Sequence, residues 1–174
     1  LCEFNIENAV ALLFNQNPQD MKTLKFLFLL SILLGLTVAA NSQGNQVEKP
    51  FKGRFYAVVS ESYPAYEILT ITGHATHLGI VLNSQMAFVK PTPTTPPYNE
   101  GVLKAANGDC IFFYCWPNLV ITDPATLSGT MSGTIYISGG TGRFTGCSGE
   151  CQMSGTFSMG EDWARWTVDG TITY

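Results

Sequence analysis

The sequence predicts an all-β domain, a set of short antiparallel strands closed into a barrel or folded as a sandwich, and three observations predict it. Apolar residues alternate with period two in several segments, glycine and proline clusters punctuate the intervals, and no stretch after residue 40 keeps a helical period over ten residues. The last segment, WARWTVDGTITY, is the clearest: Ala164, Trp166, Val168, Gly170, Ile172 and Tyr174 share one face, while Arg165, Thr167, Asp169, Thr171 and Thr173 share the other. One face is buried and the other is wet.

The chain has 174 residues and begins at Leu1. Residues 1–20 carry no feature that links them to the rest of the chain and are read as upstream translation with no domain. From Met21 the character changes: Lys22 and Lys25 precede the apolar run FLFLLSILLGLT, and Val38, Ala39 and Ala40 supply small residues for cleavage. Residues 21–40 are therefore expected to be a secretory signal peptide. The apolar run is shorter than the roughly 20 residues a membrane-crossing helix needs, so no stable membrane insertion is expected after cleavage. The protein should be secreted or periplasmic, with residues 41–174 forming one domain of ordinary size.

Strand candidates succeed one another in order: FYAVVS from Phe55, YEILTIT from Tyr66, LGIVLN from Leu78 and MAFV from Met86. KPTPTTPPYNE, residues 90–100, holds four prolines, which cannot join a central strand, and is read as a stiff exposed loop. VLKA and CIFFYCW flank Ala106-Asn107-Gly108-Asp109, where Asn-Gly predicts a type I′ hairpin. NLVIT from Asn118, GTIYIS with Ile135 and Ile137, and GTFSM with Phe157 and Met159 bring the count to about eight or nine. The Gly-Thr pairs at SGT (128, 132 and 154) and DGT (169) are read as turn punctuation that opens strands. Barrel closure would leave no exposed edge.

Residues 41–174 contain seven Lys and Arg, scattered, against ten Asp and Glu. Nucleic acid, which needs clustered cations, is excluded as a partner. Export permits disulfides, and the candidates are Cys110, Cys115, Cys147 and Cys151. On one straight strand Cys110 and Cys115 point to opposite faces about 16 Å apart, which excludes that pair. The remaining pairings stay open: a local Cys147 to Cys151 bridge, or either of these with the 110–115 strand. A four-Cys zinc site fits poorly, because its knuckles are usually C-x-x-C.

GGTGRFTGCSG, residues 139–149, concentrates five glycines around Arg143 and Phe144. A dinucleotide fingerprint misplaces its third glycine here, a Walker loop lacks Gly-Lys-Ser/Thr, and no helix comes after it to hold an anion. The stretch is a structural turn built from Gly139, Gly140, Thr141, Gly142, Phe144 and Gly149, with Phe144 folded back beneath it as an apolar plug. Within it, Gly-Gly-Thr-Gly-x-Phe resembles the signature of the dirigent and allene oxide cyclase barrels, where Ala-Arg-Gly comes after a short interval. Those three positions here are Cys147, Ser148 and Gly149. GHATHLG at Gly73, AANGD at Ala105 and the terminal DGTIT are similar to segments of exported bacterial proteins carrying the same barrel.

The resemblance implies an eight-stranded antiparallel barrel, often trimeric, so a homo-oligomer is expected, with an interior wide enough for a small apolar ligand. Dirigent proteins steer radical coupling, and allene oxide cyclases close a ring by holding a reactive substrate in an apolar cavity. Both rely on polar residues inside the barrel that cannot be matched here, and Ser148 replaces the one motif residue with evident chemistry.

Other chemistry is sparse. His74 and His77 form H-x-x-H, but on a strand they have opposite parity and no third ligand accompanies them, so no metal is expected and His77 is read as a hydrogen-bonded ring. Glu67, Glu100, Asp109 and Asp123 are isolated carboxylates, and Ser148 has no evident base. Trp163, Trp166 and Trp116, with Tyr114 and Phe112, suggest an aromatic rim, although core packing explains Trp166 more simply. The candidate rim or pocket residues are His77, Tyr114, Trp116 and Arg143, and no cofactor motif is present. The expected function is a secreted, non-catalytic barrel that binds a small hydrophobic ligand or a protein partner. The alternative is a cyclase- or isomerase-like enzyme using the cavity. Convergent polar groups in a deep pocket would favour the enzyme, and an interior filled by Ile, Phe and Trp would favour the binder.

Overall fold

The computed structural model describes residues 47–174. The expected leader at 21–40 and the segment before it lie outside the described residues. Nine strands run in order: β1 (Glu48–Ser62), β2 (Tyr66–Ala75), β3 (Gly79–Val89), β4 (Tyr98–Lys104), β5 (Cys110–Cys115), β6 (Asn118–Asp123), β7 (Ser128–Gly140), β8 (Ser148–Ser158) and β9 (Trp163–Thr173). Each pairs antiparallel with its neighbours in the order β5-β4-β3-β2-β1-β9-β8-β7-β6, and a β5–β7 ladder closes the ring. Eight strands therefore form a closed antiparallel barrel, and β6 is an additional strand.

The place of β6 is set by the length of β7. The first part of β7 pairs with β6, Asn118 opposite Ser132 and Ile121 opposite Gly129. The second part pairs with β5, Cys115 opposite Ile135 and Ile111 opposite Gly140. β5 and β6 are thus laid end to end along β7, interrupted only by Trp116 and Pro117, and β6 carries exposed Val120 and Ile121.

The period-two pattern places the core. Phe51, Phe55, Leu69, Ile71, Ile111, Phe113, Ile135, Ile137, Trp166, Val168 and Ile172 all belong to one buried interior cluster. Burying these side chains contributes about 1.5–3 kcal/mol each before the entropy of ordering them is counted. Phe55 and Trp166 pack with ring centroids 5.6 Å apart.

Three expectations need correction. The turn between β4 and β5 stands where Asn107-Gly108 placed it, but only Gly108 has positive φ, at 90°. Gly108 N–H donates to the Ala105 carbonyl and Ala105 N–H to the Asp109 carbonyl, a three-residue hairpin with a left-handed glycine rather than type I′. Of the Gly-Thr pairs, only that after Ser128 opens a strand, β7; Gly133, Gly155 and Gly170 lie inside β7, β8 and β9, as Gly149 lies inside β8. A Cβ on Gly155 would stand 2.1 Å from the Arg165 carbonyl oxygen, so glycine there allows two backbones to approach closely.

The third correction concerns the disulfides. Cys115, Cys147 and Cys151 are free, buried thiols, so no bridge forms among the four candidates. Cys115 and Cys151 both stand opposite Ile135, on either side of it. Two strand spacings, about 9–10 Å, separate them, beyond the reach of a disulfide. Cys147 and Cys151 are spread along extended chain and are farther apart still.

Candidate functional site: the open end of the barrel

The two ends of the barrel are built differently. At one end, the turns at 76–78 and 105–109 and the connection 141–147 meet the start of β1 and the end of β9. Thr141 bonds Cys110 in both directions, its N–H to the Cys110 carbonyl at 2.9 Å and its Oγ1 accepting from Cys110 N–H at 3.0 Å. Gly142 has φ 58°, and a Cβ there would overlap the Asp109 carboxylate. One 3₁₀ turn, Gly142–Phe144, then drives Phe144 inward to 0% exposure, against Tyr174 at 5.1 Å between centroids. Phe144 thus fills the interior at this end of the barrel.

His77 and Arg143 belong to the sealed end. The His77 ring Nε2 lies 3.0 Å from the Pro50 carbonyl oxygen and edge-on to Tyr174. Arg143 donates to the His77 carbonyl and pairs with Asp109 at 3.4 Å. His74 is exposed and does not join His77. Among the described residues no group of three metal-ligating side chains converges.

At the opposite end, where the turn at 159–162 joins β8 to β9, lies an apolar cavity of about 70 Å³. Leu69, Met86, Phe88, Phe113, Leu119, Met131, Ile135, Met153 and Phe157 supply its walls, and Trp163 and Met159 its mouth. Trp166, Phe113 and Ile135 form its floor, because they also line a void of only about 10 Å³ below, where Phe51, Phe55 and Val168 fill the barrel. The lower interior is packed and the upper interior is open.

Three of the residues that line this chamber each carry a buried polar atom with no hydrogen-bond partner in the protein: Asn99 Oδ1, Ser158 Oγ and Trp166 Nε1. Their residues are 7%, 1% and 5% exposed. Leaving such a group buried and unpaired costs roughly 1–3 kcal/mol, so three in one cavity is a substantial local deficit. Asn99 sits on the inward face of β4, where its Nδ2 donates to Cys115 Sγ at 3.6 Å. Burial pushes the Cys115 thiol up to about 11, partly offset by the Asn99 hydrogen bond. A neutral, shielded thiol is a wall residue and a poor nucleophile at neutral pH. Glu67 lies at the rim, paired with Lys90 at 2.9 Å, and Asp162 stands at the mouth beside Trp163.

Of the rim candidates, none lines this cavity. Tyr114 alternates with inward Phe113 and Cys115 and so points outward, as does the neighbouring Trp116. Asn99 and Ser158 carried no sequence motif. For Asn99, a polar residue at inward parity with Gly101 and Leu103 was the available signal. Ser158 offers none, since it comes directly after inward Phe157 and so falls outside the alternation.

No family model matches the chain, and no curated protein matches it. Among solved structures, the chain is similar to the pterocarpan synthase dirigent protein GePTS1, with TM-score 0.49 and 14% identity, covering 78% of this chain and 94% of that one. It is also similar to the pterocarpan synthase dirigent protein PsPTS1, with TM-score 0.45 and 11% identity, covering 74% of this chain and 95% of that one.

Proposed function

We propose that this protein is an exported barrel that binds a small, largely apolar molecule at its open end and does not turn it over. The observation that carries the reading is the set of unpartnered Asn99, Ser158 and Trp166 atoms within apolar walls. Buried polar groups find partners, and a ligand bearing both a hydrogen-bond donor and an acceptor would supply them. Asn99 Oδ1 takes a donor, Trp166 Nε1 takes an acceptor, and Ser158 Oγ serves either. The cavity is well below the roughly 300–1,000 Å³ of drug-sized sites. The occupant is therefore small, or is the buried end of a longer molecule that leaves through the mouth.

A second reading draws on the same polar atoms: a mould for ring closure, in which Trp166 Nε1 and Ser158 Oγ steady charge developing on an oxygen. Binding without turnover is favoured because the inner cavity holds no group that exchanges a proton near neutrality. Asn, Ser and Trp side chains do not titrate there, Cys115 is held neutral, and Glu67 is engaged with Lys90.

The test is native mass spectrometry of the protein isolated from its own host, with organic extraction of whatever co-purifies. A defined bound mass, lost in Ser158→Ala and Asn99→Leu variants that remain folded, is expected. Protein that is empty from its host and takes up no small alcohol or ketone would refute the binding reading. Recovery of a chemically altered product would replace it with the mould.

A further inference from the structure

Closure of the barrel leaves one strand edge unused. β6 pairs with β7 on one side, and among the described residues no strand pairs with its other side. No loop covers it with backbone hydrogen bonds either, and the proline-rich loop 90–97 bonds to itself, Thr92 to Thr95 in both directions. The groups that face this edge can be assigned. A Cβ on Gly129 would overlap the Val120 carbonyl oxygen, so that carbonyl turns toward β7, where Val120 stands opposite Thr130. Backbone groups alternate sides along an antiparallel strand, so Leu119 and Ile121 direct both N–H and C=O to the free edge.

The edge is also apolar. Five of the eleven exposed large apolar side chains lie on β6 or on its flanks: Trp116, Val120, Ile121, Leu127 and Met159. Met159 N–H donates to the Leu127 carbonyl at 3.2 Å, which ties the last two together beside the β6–β7 turn. Edge strands are commonly protected by lysine or proline. NLVITD has neither, and its one charge, Asp123, stands at the end beyond a register shift.

We propose that β6 pairs with β6 of a second copy of this chain, antiparallel about a two-fold axis at Val120. The sequence of the edge names its occupant, because a two-fold that keeps the faces of the sheet pairs residues of like parity. With the axis at Val120, Leu119 exchanges both backbone bonds with Ile121 of the second copy, and Ile121 does the same with Leu119. Every edge-facing group of the two residues is then used. Val120 meets its own copy at the closer, non-hydrogen-bonded spacing of about 4.5 Å between Cα atoms, and apolar side chains meet apolar ones. Neighbouring registers do worse: an axis at Leu119 sets Ile121 against Pro117, which has no N–H, and an axis at Ile121 sets Leu119 against Asp123. A ladder this short makes a small interface, so the dimer is a concentration-dependent one.

Sedimentation equilibrium of the full chain, from micromolar to near-millimolar concentration, tests the pairing. Reversible monomer–dimer exchange is expected, weakened about tenfold or more by Val120→Lys, which sets two ammonium groups against each other on the axis. Val120 is exposed, so the variant should keep the circular dichroism of the barrel. A disulfide trap reads the register. Under mild oxidation Val120→Cys should yield a covalent dimer, its Cα spacing suiting a bridge, whereas Ile121→Cys, about 8–9 Å from its copy, should not. A monomer at every concentration, a trimer, a dimer undiminished by Val120→Lys, or equal cross-linking of the two cysteine variants would each overturn the proposal.

Discussion

The sealed and open ends of this barrel are made from the same kinds of strand, yet they treat buried polarity in opposite ways. At the sealed end, Thr141 bonds Cys110 twice, Gly142 makes room for Asp109, and Phe144 fills the remaining space. All of the unpartnered buried polar side-chain atoms among the described residues lie elsewhere, and three of the four belong to residues that line the open cavity. The difference is that the chain's own side chains complete one end, whereas at the other, on the function proposed above, a ligand would supply the missing partners.

The largest effect should come from undoing the seal. Phe144→Ala removes a fully buried aromatic ring and leaves its space empty, so a loss of about 3–5 kcal/mol is expected. Urea unfolding of the variant measures it. If the ends are as distinct as the packing indicates, any folded fraction keeps its ligand affinity at the other end. A loss of affinity matching the loss of stability would merge the two ends into one cooperative unit and break the comparison.

The opposite sign is expected at the open end. Ser158→Ala deletes a buried hydroxyl that has no partner in the protein, so stability should rise by about 1–3 kcal/mol while binding of the proposed ligand weakens. Thermal melts with and without the extracted ligand test both halves at once. A destabilised variant would mean that Ser158 already holds a role in packing the end of β8.

The thiols sharpen the contrast between core and cavity through pH. Burial raises Cys115, Cys147 and Cys151 from an ordinary value of 9.0 to about 11 each. A raised value means that the neutral thiol is favoured in the fold. The associated stability is complete below pH 9 and is lost as pH climbs toward 11, because unfolded thiols ionise first. Unfolding midpoints taken from pH 8 to pH 11 should therefore fall steadily. Alkylation at pH 8 should be slow for all three thiols in folded protein and fast in urea. Ready labelling of Cys115 alone would show that its wall opens to solvent through the cavity.

How much of this was legible in the sequence obeys the same division. β9 could be read to the residue, because Trp166, Val168 and Ile172 alternate with wet threonines and the barrel interior lies on one side only. The connection 141–147 was legible because Gly142 and Phe144 answer to local constraints, a left-handed backbone and a nearby space to fill. Gly133, Gly155 and Gly170 were misread as turns, because the backbone that crowds each one belongs to another segment of the chain. For the same reason the cavity was not legible. Trp166 was read correctly as inward, but whether its Nε1 finds a partner depends on β4 and β8, which approach it only after closure. Cross-barrel meetings leave no periodic trace along the chain.

The smallest effect should come from the ion pair that decorates the seal. Arg143 and Asp109 lie 3.4 Å apart with side chains 48% and 21% exposed, so water screens much of their attraction. Exposed pairs of this kind contribute about 0.2–1 kcal/mol. Arg143→Lys keeps a positive charge beside Asp109 but forfeits the fork that also reaches the His77 carbonyl. Its midpoint in urea should move by less than about 1 kcal/mol, with ligand affinity unchanged. A shift as large as that of Phe144→Ala would locate the seal in the polar bridge between the turns at 76–78 and 105–109 and the connection 141–147. The plug would then be a consequence of that bridge, and the stability of the closed end would depend on salt concentration, as buried aromatic packing does not.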